Sequence, residues 1–63
     1  MSNTLELIKD LLEALEIDDT KFEHGNAAAG TRARKHLGDM AKLCKLRRAE
    51  ITDTKHARQE AKE

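Results

Sequence analysis

The chain has 63 residues, 38% of them apolar and 38% charged, and its twelve acidic residues balance twelve Lys and Arg. A domain of this size gains only about 3–5 kcal/mol from its core unless a disulfide, a metal or a second subunit contributes. Cys44 is the single cysteine, which excludes an internal disulfide, and one cysteine with three histidines does not supply the spaced ligands of a structural zinc site.

An all-α fold is predicted, because the chain is rich in Ala, Leu, Glu, Lys and Arg and has no proline. Helix 1 is predicted over residues 4–24, since Asn3 with Glu6 three positions later has the form of a capping box. Its apolar residues cover about half of the helix circumference, more than the ~100° stripe needed for one neighbour. We therefore expect helix 1 to contribute four residues to an oligomer interface, namely Leu5, Ile8, Leu12 and Leu15.

The turn between the helices is predicted at residues 25–26. Gly25 suits the left-handed position that ends a helix, and Asn26 suits the N-cap of the next one. Helices joined by so short a junction form an antiparallel αα-hairpin. The chain is therefore predicted to be a single helical-hairpin domain spanning residues 1–63.

Helix 2 is predicted from residue 27 to residue 55 or beyond. A seam for packing against helix 1 is predicted from spacings of 4, 3, 4 and 7 between Ala33, Leu37, Met40, Cys44 and Ile51. On this seam Cys44 is interpreted as a buried small hydrophobe in preference to a reactive thiol.

The ends and flanks of helix 2 favour self-association. Leu43 and Leu46 lie off the predicted seam and would be exposed in a monomer. With the broad apolar face of helix 1, they predict a homodimer or higher oligomer in which hairpins share a helical bundle, as in a coiled coil. Residues 56–63 have almost no apolar side chain and are expected to fray unless a second subunit orders them.

Charge divides the chain into two halves. Residues 1–24 carry seven acidic and two basic residues, a formal charge of −5, whereas residues 25–63 carry +5. Seven bases lie within residues 31–48 against the single acid Asp39: Arg32, Arg34, Lys35, Lys42, Lys45, Arg47 and Arg48. Such a stripe can contact several phosphates with little base selection. It can equally be a solvated face balanced by the acidic helix.

No catalytic or metal site is predicted. The chain shows no Gly-rich phosphate loop and no nucleophile with its base, and we interpret His24, His36 and His56 as surface residues. We therefore expect a protein that is not an enzyme and has no cofactor. The absence of a secretory leader and of a run near the ~20 apolar residues of a membrane span predicts a cytoplasmic protein without membrane contact.

A specific wording occurs at residues 23–35, EHGNAAAGTRARK, followed by Lys42, Lys45 and Arg48 at spacings of three. In these residues the chain resembles the bacterial histone-like nucleoid proteins typified by the chlamydial linker-histone-like protein. The long Lys-rich tail of that protein has no counterpart in the printed sequence. The resemblance implies DNA binding and chromosome condensation in the nucleoid, with these candidate contacts: Arg32, Arg34, Lys35, Lys42, Lys45 and Arg48.

Two functions follow from these observations. The first is a noncatalytic, histone-like protein that binds double-stranded DNA with little sequence preference. The second is a small helical adaptor or structural subunit that binds another protein and no nucleic acid, which the neutral total charge and the exposed Leu43 and Leu46 favour.

Overall fold

The computed structural model describes the backbone of residues 3–62 and the side chains of residues 3–58. Helix α1 spans Asn3–Glu23 and helix α2 spans Ala27–Lys62, and the described residues form no strand. The predicted all-α hairpin is confirmed. Because α1 has 21 residues and α2 has 36, the end of α2 extends past α1, and the molecule measures 57 × 16 × 13 Å. No helix within the described residues is both long and apolar enough to cross a membrane.

The junction between the helices is a Schellman motif followed directly by an N-cap. Gly25 has φ +99°, its N–H donates to the Phe22 carbonyl at 2.9 Å, and the N–H of Asn26 donates to the Lys21 carbonyl at 3.0 Å. The Oδ1 of Asn26 then accepts the Ala29 N–H at 3.0 Å, which confirms the predicted cap. Asn26 thus takes part in both helix ends, so no free loop separates α1 from α2.

The two helices pack along one seam of residues that recur every three or four positions. On α1 the seam comprises Thr4, Ile8, Leu11, Leu15 and Asp18, all of them buried or half-buried. On α2 it comprises Ala29, Ala33, His36, Met40, Leu43, Arg47 and Glu50. This alternation of 3 and 4 is the heptad spacing of a coiled coil, with polar residues at both ends of an apolar centre.

The seam predicted for α2 was wrong in phase. Ala33 and Met40 do lie in the seam, and Leu46 is exposed as expected. Three other residues predicted to be buried there are exposed instead, namely Leu37, Cys44 and Ile51, whereas Leu43 lies in the seam. Cys44 is therefore not a buried hydrophobe. The face of α2 that packs against α1 carries fewer leucines and more polar groups than the predicted seam.

Small residues bring the backbones together beside the turn. Ala29 has no exposed surface and Ala33 is 6% exposed, while Gly30 lies under the ring of Phe22. A Cβ added to Gly30 would collide with that ring. The absence of a side chain at Gly30 therefore seats Phe22, which keeps 48% of its surface exposed.

Gly38 provides a stability prediction, because it lies inside α2 and a Cβ added there meets nothing within 4 Å. Glycine in a helix interior is less favourable than alanine by about 0.8–1 kcal/mol. We expect Gly38→Ala to stabilise the hairpin by that amount, measured by urea unfolding followed by circular dichroism. Gly30→Ala is the matched control and should be destabilising, because it displaces Phe22. Equal effects of the two changes would contradict this packing.

Candidate nucleic-acid interface

The face of α2 turned away from the seam carries bases and small residues but no acid between residues 31 and 52. It consists of ten residues, every one exposed: Thr31, Arg34, Lys35, Gly38, Ala41, Lys42, Lys45, Arg48, Ala49 and Thr52. We call this set the outer basic face. All five cations on it are exposed. Two of them also border clefts with α1: Lys42 lines one with Asp10, and Arg34 lines another with Asp19.

The five cations of the outer basic face are unpaired within the part of the chain whose side chains are described. The ion pairs among residues 3–58 involve other basic residues: Lys9, Arg32, His36 and Arg47. Exposed cations that form no ion pair are available to an external anion. Of the six candidate contacts, the structure brings together five on this face: Arg34, Lys35, Lys42, Lys45 and Arg48.

The sixth candidate, Arg32, lies apart from the outer basic face. Its Nε donates to Oδ1 of Asp18 at 3.1 Å, and 49% of its side chain remains exposed. The guanidinium is therefore directed toward the flank of the hairpin, where it links α2 to α1.

Asp18 is the centre of a polar cluster in the seam. The residue is only 7% exposed, and its second oxygen, Oδ2, accepts a hydrogen bond from Nε2 of His36 at 3.0 Å. The interpretation of His36 as a surface residue was wrong, since its side chain is 21% exposed and bonded to the other helix. One sequence signal could have revealed this cluster: Asp18 continues the spacing of Leu11 and Leu15.

Asp18 makes the hairpin sensitive to acid. Burial by itself raises the pKa of Asp18, but the hydrogen bonds and positive charges of Arg32 and His36 outweigh it and lower the pKa below its ordinary 3.8. A lowered folded-state pKa contributes stability above the unfolded pKa, and this stability is lost as the pH falls through the folded value. We expect Asp18→Asn to be less stable than the natural chain at pH 7 and this difference to shrink below about pH 4. Urea midpoints measured from pH 7 to pH 2.5 test this, and a constant difference would contradict it.

A second polar cluster closes the other end of the seam. Oγ1 of Thr4 donates to Oε2 of Glu50 at 2.8 Å, and Nη1 of Arg47 donates to Oε1 of the same carboxylate at 3.1 Å. Arg47, although part of the basic segment, is therefore turned toward the seam. The intervals from Thr4 to Asp18 and from His36 to Glu50 are equal, at two heptads each, so the helices keep one register between the two clusters.

The outward face of α1 has the opposite sign. Its exposed acids are Glu6, Asp10, Glu13, Glu16 and Glu23. Lys9 lies among them, with Nζ 3.9 Å from Oε1 of Glu6, and both side chains are more than 60% exposed. An exposed pair of this kind adds little stability. The hairpin is therefore acidic on one broad side and basic on the other.

The residues predicted for an oligomer interface divide into two groups. Ile8, Leu15 and Leu43 are half-buried in the seam of the hairpin itself. Leu5, Leu12 and Leu46 are 46%, 43% and 49% exposed.

One flank of the hairpin carries an exposed apolar strip. Asp19 and Leu37 line a common cavity with Phe22 and Gly30, which shows that these positions of the two helices share a side. Residues at heptad intervals from Asp19 and Leu37 lie on the same side. We call this strip the apolar edge, and its exposed members are Leu5, Leu12, Phe22, Leu37, Cys44 and Ile51.

The remaining titratable residues form no cluster of metal-binding character. Within residues 3–58, His, Cys, Asp and Glu nowhere converge in a group of three able to hold a metal ion. His24 is exposed and its Nδ1 donates to the Thr20 carbonyl at 2.8 Å, at the end of α1. The outer basic face is therefore the strongest candidate site in the described part of the chain.

Comparison with known proteins identifies a family for the chain. A family model described as histone H1-like protein Hc1 matches residues 2–57, which include α1, the junction and most of α2. No curated protein and no solved structure matches the chain.

Proposed function

The chain belongs to the Hc1 family of histone H1-like proteins, and from this we propose that it binds duplex DNA through the outer basic face of α2. Membership makes it, in general terms, a histone-like DNA-binding protein of the nucleoid, in a family of structural proteins and not of enzymes. The observation that carries the proposal is a set of five exposed cations that have no ion-pair partner among residues 3–58 and share a helix face with no acid between residues 31 and 52.

The chemistry of this face favours contact with the phosphate backbone. Lysine and arginine that neutralise phosphates release condensed counterions, and this supplies affinity without reading bases. Gly38, Ala41 and Ala49, which lie among the cations, carry no group that hydrogen-bonds to base edges. We therefore infer little sequence preference. In this proposal Arg32 acts through its link to Asp18 in holding the hairpin together.

The proposal is tested by fluorescence anisotropy with two unrelated 20-bp duplexes at several salt concentrations from 50 to 200 mM. Five phosphate contacts predict a slope of log K against log salt near −4.5, at about 0.9 for each contact. The two duplexes should bind equally well. Absence of binding at 50 mM salt would contradict DNA binding and favour the protein-binding adaptor.

The apolar edge supports a second element of the proposal, association with another copy of the chain. Small hairpins gain stability by sharing a core, and the exposed side chains here form a continuous strip. A two-fold dimer uses the same patch on both copies, so the residues at its centre lie nearest the axis. Leu12 and Cys44 occupy that centre, between Leu5 with Ile51 at one end and Phe22 with Leu37 at the other.

We expect the chain to be a dimer at tens of micromolar, with its two Cys44 thiols close enough to be joined by a short bismaleimide. Sedimentation and a denaturing gel measure this. Leu12→Glu should abolish both the dimer and the cross-link, because it places a charge at the centre of the apolar edge. Leu46→Glu, on the opposite flank, is the control and should preserve them. A monomeric natural chain, or equal loss in both variants, would exclude this interface.

A further inference from the structure

We propose that the outer basic face bridges the two strands of a duplex across the major groove and does not follow a single strand. This inference rests on the proposed binding of duplex DNA through that face. It concerns which phosphates the cations contact, and it follows from how the cations are spaced along α2.

The cations of the outer basic face form two groups. Arg34 and Lys35 make the first group, and Lys42, Lys45 and Arg48 make the second. The centres of the groups are about 16 Å apart at 1.5 Å of rise per residue. Between them the outward positions are Gly38 and Ala41, and the one charged residue of this interval, Asp39, is half-buried on the flank beside Lys42.

This spacing does not suit a single strand. Phosphates on one strand follow each other at about 3.4 Å along the duplex axis, so a helix tracking them gains most from evenly distributed cations. The interval from Lys35 to Lys42 covers about 10.5 Å and leaves roughly three phosphates without a partner.

The same spacing suits the two rims of the major groove. That groove is about 12 Å wide between the phosphate groups that line it, whereas the minor groove is about 6 Å wide. Two groups of flexible cationic side chains about 16 Å apart can each reach one rim of the wider groove. The gap then lies over the groove opening, where nothing larger than the methyl group of Ala41 projects.

The rest of the hairpin is compatible with this arrangement. Most exposed acids of α1 lie on its outward face, but Asp10 shares a cleft with Lys42 and Asp19 shares one with Arg34. The Asp18 and Glu50 clusters fix α2 on α1 over the whole interval that carries the cations. A helix supported in this way holds its two cationic groups at a constant separation.

A duplex with one neutral strand distinguishes bridging from tracking. Methylphosphonate linkages throughout one strand of a 20-bp duplex remove the charge of one groove rim and leave the other strand intact. The test measures the natural chain and the variant Arg34→Ala/Lys35→Ala on the ordinary and the half-neutral duplex. The variant changes only exposed residues, and circular dichroism verifies its helicity.

With only one charged strand, each phosphate contact contributes about 0.7 to the salt slope and no longer about 0.9. Tracking keeps all five contacts on the half-neutral duplex and predicts a slope of about −3.5. Bridging keeps at most three contacts and predicts a slope of about −2. Bridging also predicts that the variant loses affinity on the ordinary duplex, by roughly a hundredfold at 50 mM salt, and much less on the half-neutral one. On the half-neutral duplex the position of Arg34 and Lys35 can face the neutral strand, where their loss removes no contact. Equal penalties on both duplexes would overturn bridging while leaving DNA binding intact. If the natural chain failed to bind the ordinary duplex, both proposals would fall.

Discussion

Replacing Ala33 with aspartate is expected to unfold the hairpin. Ala33 is 6% exposed in the seam, where α2 approaches α1 closely beside the turn. Aspartate adds both volume and an unpaired charge there, which together cost more than about 3 kcal/mol. A chain of this size has only about 3–5 kcal/mol in total. Circular dichroism at 222 nm should therefore show a mostly unfolded variant at 25 °C.

The same substitution at an exposed position of the same helix controls for helix propensity. Ala49 lies on the outer basic face, so Ala49→Asp carries the propensity cost without burying the carboxylate. We expect the free energy of unfolding of this variant to lie within about 1 kcal/mol of that of the natural chain. If Ala33→Asp were as stable as Ala49→Asp, the seam would be wrongly placed.

The second large effect concerns DNA affinity. Replacing Arg34, Lys35, Lys42 and Lys45 with alanine removes four exposed cations that have no partner within residues 3–58, so the fold should be preserved. Four lost contacts flatten the slope of log K against log salt by about 3.6. They also lower affinity at 50 mM salt by roughly four orders of magnitude. Anisotropy titrations on unrelated duplexes should show the same loss on each.

A pair of substitutions on each helix distinguishes the effect of a cation's position on DNA binding from the effect of total net charge. Lys42→Ala/Lys45→Ala and Lys9→Ala/Lys21→Ala lower the net charge equally, and all four residues are exposed. The first pair should flatten the salt slope by about 1.8, and the second should leave it nearly unchanged. Similar effects of both pairs would mean that total charge, and not the outer basic face, governs binding.

The junction of the hairpin could be predicted because its chemistry is local. Gly25 supplies the backbone freedom that ends α1, and the side chain of Asn26 reaches an N–H three residues ahead. Neither contact depends on how the two helices are rotated against each other. A window of a few residues therefore contained the information that places the turn.

The rotation of α2 could not be predicted from its apolar residues. Leucines and other hydrophobic residues occur on several sides of this helix, so spacing alone admitted a seam through Leu37 and Cys44. The actual phase is selected by partners on α1, because the carboxylate of Asp18 bonds both Arg32 and His36. Hydrophobic spacing alone does not identify such polar residues as part of a core.

The candidate site was less affected by this error. Arg34, Lys35, Lys42 and Lys45 are exposed in the structure, as the wrong seam also predicted. The two seams share Ala33 and Met40, so the rotation between them is small enough to leave these four cations on the outer half of α2. Arg32 lies closer to the flank, and in the observed rotation of α2 it forms an ion pair with Asp18. The sequence could thus predict the centre of the face but not its border.

The opposite signs of the two broad sides have a consequence for DNA coated by this protein. The chain has a formal net charge of zero, so each bound copy brings no net neutralisation to the complex. A copy bound through α2 turns the acids of α1 outward and presents a new anionic surface in place of the phosphates it covers. These outward acids should weaken the attraction of a coated duplex for a second DNA molecule on that side.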